Sequence, residues 1–449
     1  MKKSYLNLAK RLITLMLAAS LAIGASGCTS INSGDPQDSG SGLATQPAGG
    51  ENQQPGSEDS SAPIGGDSSP TVPDEAGDND GAGGQSGQIS YEEPPEGWDY
   101  SFGHEFIYEN GIQYVWERLD DTTKINLGEA MNAIRDVQVY CSLSVGFPRE
   151  EAEDFLELLA NCAMYYSYYE SRFQLHVTDE GMVRGLTINY SVQYEDEAAE
   201  RNRLLGEKLD EMIAGMPDGS DFEKIKYLHD TLVLNCTYSE DAVSPFTAFG
   251  SIVEGRATCQ GYADGMHLLL SRAGFETMFA TGEGSEPSIK HKWCYVRLDG
   301  EWYAIDPTWD DPQDKKEEDF IGYEYFLVTD ELILRDHEKK YDSSYYEVPV
   351  AEGTELNYYR QVGYWAENEE DVRRILTEQA IAAASEGRQF IYLRMEDGEE
   401  LADIYSPSMF EEILKEAAAQ TGAAIDTGSW SRSLKEEIGT LTITIKYLD

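Results

Sequence analysis

Residues 291–311, HKWCYVRLDGEWYAIDPTWDD, hold two alternating runs on either side of Asp299-Gly300. An Asp-Gly pair between such runs predicts a two-residue hairpin, because a type I′ turn needs positive φ at both central residues. That turn sets a register in which Leu298 faces Glu301 and Trp293 faces Asp306. His291 then shares a face with Trp293 and stands diagonal to Asp306. Diagonal neighbours lie roughly 7–8 Å apart at the backbone, within reach of longer side chains. The register therefore predicts a His291–Asp306 hydrogen bond. It sends Cys294, Val296, Leu298, Tyr303 and Ile305 to the opposite face, read as core, so Cys294 points away from His291.

A second segment supplies a thiol. Residues 260–273 carry Tyr262, Met266, Leu269, Leu270 and Ala273 at helical spacing, and Gly274 is a natural stop. Cys259 falls at the helix N-terminus, where unsatisfied N–H groups and the helix dipole favour a thiolate. A thiolate beside an imidazolium is an active nucleophile, and Asp306 would orient the ring and stabilise its charge. The backbone N–H of Cys259 is the first candidate oxyanion donor. Cys259, His291 and Asp306 could also bind zinc, but no Cys-x-x-Cys or His-x-x-x-His spacing supports that. Neither a metal nor a cofactor is expected.

Segments 248–275 (AFGSIVEGRATCQGYADGMHLLLSRAGF) and 291–311 resemble the transglutaminase-like superfamily, a branch of the papain-like thiol enzymes. The resemblance rests on Gly-x-x-x-Cys-x-Gly-Tyr-Ala, His-x-Trp and Asp-Pro-Thr-Trp-Asp in order. Residues 224–241 resemble the family's lead-in helix and 322–337 its exit segment. It implies that Cys259 is the nucleophile, His291 the general base and acid, and Asp306 the orienting carboxylate. Cys294 departs from the family pattern, where Asn is common. A second oxyanion donor would be Tyr238 or Gln260. The implied reaction is acyl transfer from a protein or peptide amide through a Cys259 thioester, to water or to an amine. The competing class is a catalytically silent surface module that holds a peptide in the same groove.

The rest of the chain supplies the setting. Residues 1–28 begin with Lys2, Lys3, Lys10 and Arg11, continue through LITLMLAASLAIG and end in Ala-Ser-Gly-Cys. That pattern predicts a signal peptide, and its end resembles a bacterial lipobox, implying lipidation at Cys28 and anchorage to the outer face of the cell membrane. Residues 29–100 are rich in Gly, Ser, Pro, Asp and Gln and contain no Lys or Arg. Such a segment cannot bury enough apolar surface to offset its ordering entropy and reads as a tether. The 449 residues carry 83 acidic and 34 basic side chains, a formal charge of −49. That excess repels nucleic acid and anionic lipid as partners.

The fold class expected is α+β: a papain-like core at 219–350, an N-terminal α/β region at 101–218 and a small C-terminal α+β module at 351–449. In the first region 106–116 suggests a hairpin at Asn110-Gly111, helices fall near 124–138 and 149–163, two strands lie in 173–194, and 195–214 is helical. Tyr165, Tyr166, Tyr168 and Tyr169 read as packing beneath strands rather than a ligand surface. The last module reads as a helix near 368–385, a strand at 388–395, a helix at 407–421 and a strand at 441–448. Cys141, Cys162, Cys236 and Cys294 could form two disulfides, Cys141–Cys162 among them, or remain buried thiols.

Overall fold

The computed structural model describes residues 105–192, 195–284, 290–311, 320–340 and 343–448. The leader, Cys28 and the tether lie outside the described residues. Among those described, no helix is long and apolar enough to cross a membrane.

The first region comprises helices α1 (Glu105–Glu109), α2 (Gln113–Arg118) and α3 (Asp121–Arg135). They are followed by β1 (Tyr140–Pro148), α4 (Ala152–Cys162), β2 (Tyr169–Val177), β3 (Met182–Tyr190) and α5 (Glu195–Ala214). The strands form an antiparallel sheet in the order β1-β3-β2. α3 starts where the Asp120 side chain accepts a hydrogen bond from Thr123 N at 2.9 Å, satisfying a donor that the helix leaves open. The expected hairpin at Asn110-Gly111 is a correction, since those two residues end α1 instead. Gly111 takes φ +65°, while the buried Asn110 donates from Nδ2 to Phe106 O and accepts from Tyr165 N. The Asn-Gly pair thus serves a helix stop, and Phe106, Ile107, Tyr114 and Val115 are buried from two short helices. Tyr166 and Tyr168 are fully buried, as the packing reading expects.

The central part contains α6 (Asp221–Asn235), β4 (Thr237–Tyr238), β5 (Arg256–Ala257), α7 (Cys259–Arg272), β6 (Glu276–Glu283) and β7 (Lys290–Leu298). It closes with β8 (Glu301–Ile305), β9 (Phe326–Val328), α8 (Asp330–Ile333) and β10 (Glu338–Lys339). Its main sheet is antiparallel in the order β10-β6-β7-β8-β9. Asp299 and Gly300 have φ +52° and +92°, and pairing runs from Leu298↔Glu301 to Cys294↔Ile305, the register read from the turn. The five residues assigned to the core face are all buried. The other face is covered as well: Trp293 and Tyr295 are also buried, because the chain after β8 folds back over them.

The first and central regions share one apolar core running from Phe106 to Tyr359, which Ile438 also joins. One seam is polar: His267 Nε2, on α7, donates towards Asn110 O and Gly111 O at 3.1 and 3.0 Å. A boundary near residue 218 therefore divides the sequence but not the core. The last part, α9 (Tyr358–Gln361), β11 (Trp365–Ala366), α10 (Glu369–Glu386), β12 (Phe390–Met395), α11 (Gly398–Ile404), α12 (Pro407–Thr421), β13 (Ile425–Lys435) and β14 (Thr440–Tyr447), forms a mixed sheet in the order β11-β12-β14-β13. Its own core spans Ala366 to Ile445. Arg394 reaches from it into the junction, donating to Glu324 O and Ile438 O. Cys141 and Cys162 are buried thiols and not a disulfide.

Candidate active site

Cys259 is the first residue of α7. The preceding Thr258 is extended, with φ −90° and ψ −178°; its N–H and its hydroxyl both donate to Pro245 O, at 2.8 and 3.1 Å. One turn into the helix, Gly261 lies so close to the loop that a Cβ there would meet Ala257 Cβ at 2.6 Å and Thr247 O at 2.8 Å. These contacts seat the start of α7 beside the beginning of β7, with Cys259 Sγ 3.9 Å from Lys290 O. Cys259 is 5% exposed.

His291 follows Lys290, and its Nε2–H donates to Asp306 Oδ2 at 2.6 Å. The hairpin register brings the pair together as expected. With Nε2 engaged, any proton exchange with a thiol would run through Nδ1. Asp306 Oδ1 accepts from Thr308 N at 2.9 Å, and Asp306 N donates to Tyr325 O at 3.1 Å. The second contact depends on an irregularity in β9. Ala304 pairs with Val328 and Ile305 with Phe326, leaving Leu327 as an extra residue at φ +52°, a bulge that re-aims the strand end. Burial alone would raise the Asp306 carboxyl, but His291 and His337 outweigh it and hold the group well below the usual carboxylate range.

His337 is the residue that the sequence reading missed. Its Nε2 donates to the same Asp306 Oδ2 at 3.1 Å, and its Nδ1 donates to Asp336 Oδ1 at 2.8 Å. Trp309 packs on both rings, with centroids 5.5 Å from His291 and 4.1 Å from His337. The sequence cue is slight: an Asp-His pair in a short segment, with no spacing rule linking it to the hairpin.

Cys294 lies on the α7 side of the sheet. Its thiol donates to Ala263 O at 2.9 Å, and burial pushes it far above the usual thiol range. Tyr238 is strand-paired with Ala257, two residues before Cys259, and packs with Cys236, Ala257 and Tyr262. Burial raises its phenol and keeps the O–H at neutral pH. The Gln260 side chain hydrogen-bonds to Asp264, whose carboxylate is 2.6 Å from Lys292 Nζ in a buried pair. Among the described residues, His291, Asp306 and His337 form the one His/Cys/Asp/Glu group tight enough to hold a cation. The shared hydrogen bonds to Asp306 already account for that clustering, and a cation would have to displace both.

The model of the transglutaminase-like superfamily matches residues 209–307. No curated protein sequence matches the chain. Among solved structures the chain is similar to that of a TGase, at 14% identity and a TM-score of 0.21, covering 33% of this chain and 46% of that one. It is also similar to a proposed cysteine protease from Cytophaga hutchinsonii, at 13% identity and a TM-score of 0.22, covering 37% and 65%. A third is a proposed protease from Parabacteroides distasonis, at 12% identity and a TM-score of 0.17, covering 31% and 36%. The chain covers less than two thirds of each of these chains.

Proposed function

The chain carries a transglutaminase-like domain, and on that premise we propose that it is a thiol enzyme acting on protein or peptide amides through Cys259, His291 and Asp306. The observation that carries the reading is the buried 2.6 Å His291–Asp306 bond together with a cysteine at a helix N-terminus whose Sγ lies 3.9 Å from Lys290 O, one residue before His291. In the reduced enzyme, His291 Nδ1 takes the Cys259 proton. The thiolate then attacks the amide carbonyl, forming a C–S bond. Charge on the carbonyl oxygen falls to the Cys259 N–H and the Tyr238 hydroxyl. His291 returns its proton to the leaving nitrogen as the C–N bond breaks, leaving a thioester. Water or a primary amine, deprotonated by His291, attacks that thioester and releases the thiol. Asp306 keeps His291 in the Nε2–H tautomer throughout and stabilises its charge.

The acceptor is chosen by groove shape and water exclusion rather than by the triad, and amide cleavage is the preferred outcome. The leader and tether support an extracytoplasmic protein anchored through lipid at Cys28, with cell-surface proteins as substrates.

The test uses full-length protein, reduced and freed of reductant, incubated with cell-surface proteins and a primary amine and followed by mass spectrometry. New peptide termini support cleavage, whereas amine at Gln supports transfer. Loss of either product in Cys259→Ser and His291→Ala ties it to the site. Full turnover in either variant would sink the triad. Neither product from the wild type favours a binding module.

A further inference from the structure

We propose that His337 is a positioning residue of this site: an imidazolium clamped between Asp336 and Asp306 that fixes Asp306 against His291. The inference rests on the reading of Cys259 as nucleophile. It begins with proton counting. Each ring nitrogen of His337 faces a carboxylate oxygen, at 2.8 and 3.1 Å. An ionised carboxylate only accepts hydrogen bonds, so both nitrogens carry protons, and such a ring is a cation. A neutral ring would set a lone pair against a carboxylate where the His337 and Asp306 side chains are wholly buried, an arrangement that burial makes costly. The titration direction agrees: burial pushes the ring down, but the two carboxylates outweigh it and raise it to about 9.

Asp306 Oδ2 accepts from both imidazoles and Oδ1 from Thr308 N, so the carboxylate cannot turn away from His291. The two rings stand 5.2 Å apart. The other groups facing the cluster are Asp336, the Tyr325 hydroxyl that donates to Asp336 at 2.5 Å, Lys435, whose charge acts on Asp336, and the buried Cys294 thiol.

The test measures iodoacetamide labelling of Cys259 against pH in the reduced full chain, mapped by mass spectrometry. Removing the clamp in His337→Gln should shift the midpoint of that labelling by about one pH unit. His337→Lys, which keeps a cation, should restore the wild-type midpoint. A merely structural role would slow labelling at every pH and leave the midpoint in place, and that result overturns the inference. A wild-type midpoint at the ordinary thiol value of about 8.5 sinks the nucleophile reading and this inference with it. If His337→Gln does not fold, ring-nitrogen NMR of histidine-labelled wild type at pH 7.5 decides: two protonated nitrogens support the clamp, and a neutral tautomer overturns it.

Discussion

Asp306 is held by two imidazoles and a backbone N–H, so replacing it tests the site with little change of shape. Asp306→Asn turns one of the two acceptor oxygens into an NH2 group, so either Thr308 N–H or both imidazoles lose their acceptor. By analogy with the Asp-to-Asn loss seen in a serine-protease triad, acylation by p-nitrophenyl acetate should slow on the order of 10³–10⁴-fold, read as release of p-nitrophenolate from reduced protein. A rate within tenfold of wild type would remove Asp306 from the mechanism. Cys294 gives the opposite expectation. Its thiol is spent on Ala263 O across the sheet from His291, so Cys294→Ala should leave the Cys259 labelling midpoint unchanged. It should cost about 1–2 kcal/mol of stability in urea denaturation, from a small cavity and an orphaned carbonyl.

At the scale of elements, the start of α7 and the β7–β8 hairpin place the site by different means. The hairpin is local. Asp299-Gly300 fixes the turn, the turn fixes the register, and the register puts His291 beside Asp306, so this half of the site was legible in sequence. α7 was legible in extent, but its seat was not, because the contacts of Gly261 with Ala257 and Thr247 depend on a loop whose path no periodicity records. Gly261→Ala should therefore push the loop back, costing about 1–3 kcal/mol and slowing Cys259 acylation. Unchanged stability and acylation would show that the loop yields freely. His337 escaped for a related reason: it arrives from the far edge of the sheet, just before β10, where no turn signal announces it. The Asn110-Gly111 error shows the limit of local chemistry. The same dipeptide suits a hairpin and a helix stop, and tertiary burial of Phe106, Ile107, Tyr114 and Val115 decides between them. β1 was passed over because two strong helix patterns flank it, and β13 because its small polar residues carry no clear alternation.

For the whole molecule, three buried histidines set the expected pH dependence of folding. Burial pushes His229 and His337 down, yet their carboxylate partners outweigh it and raise both to about 9. Between about 6.5 and 9 the folded protein holds protons that the unfolded chain has released, so stability falls as pH rises. Below about 6.5 both states are protonated and this contribution is complete. His267 has the reverse sign. Burial, aided by Lys292, lowers it to about 4, so between about 4 and 6.5 the unfolded chain binds a proton that the folded one refuses, and stability falls as pH falls. Each effect is on the order of 3 kcal/mol at full extent. Stability should peak near pH 6.5, with an acid arm owed to the α1–α7 seam and an alkaline arm owed to His229 and the active-site clamp. The depressed Asp306 adds its loss only below about pH 4. Urea denaturation from pH 4.5 to 9 in about 0.2 M salt, which screens the repulsion of an acidic surface, measures both arms. His337→Gln should make the alkaline arm about half as steep and leave the acid arm intact, while His267→Gln should flatten the acid arm and leave the alkaline arm intact. An alkaline arm equally steep in wild type and His337→Gln would mean that His337 keeps no proton above the pH at which an unfolded histidine loses its own, and Asp306 would then have only one charged partner to hold it in place.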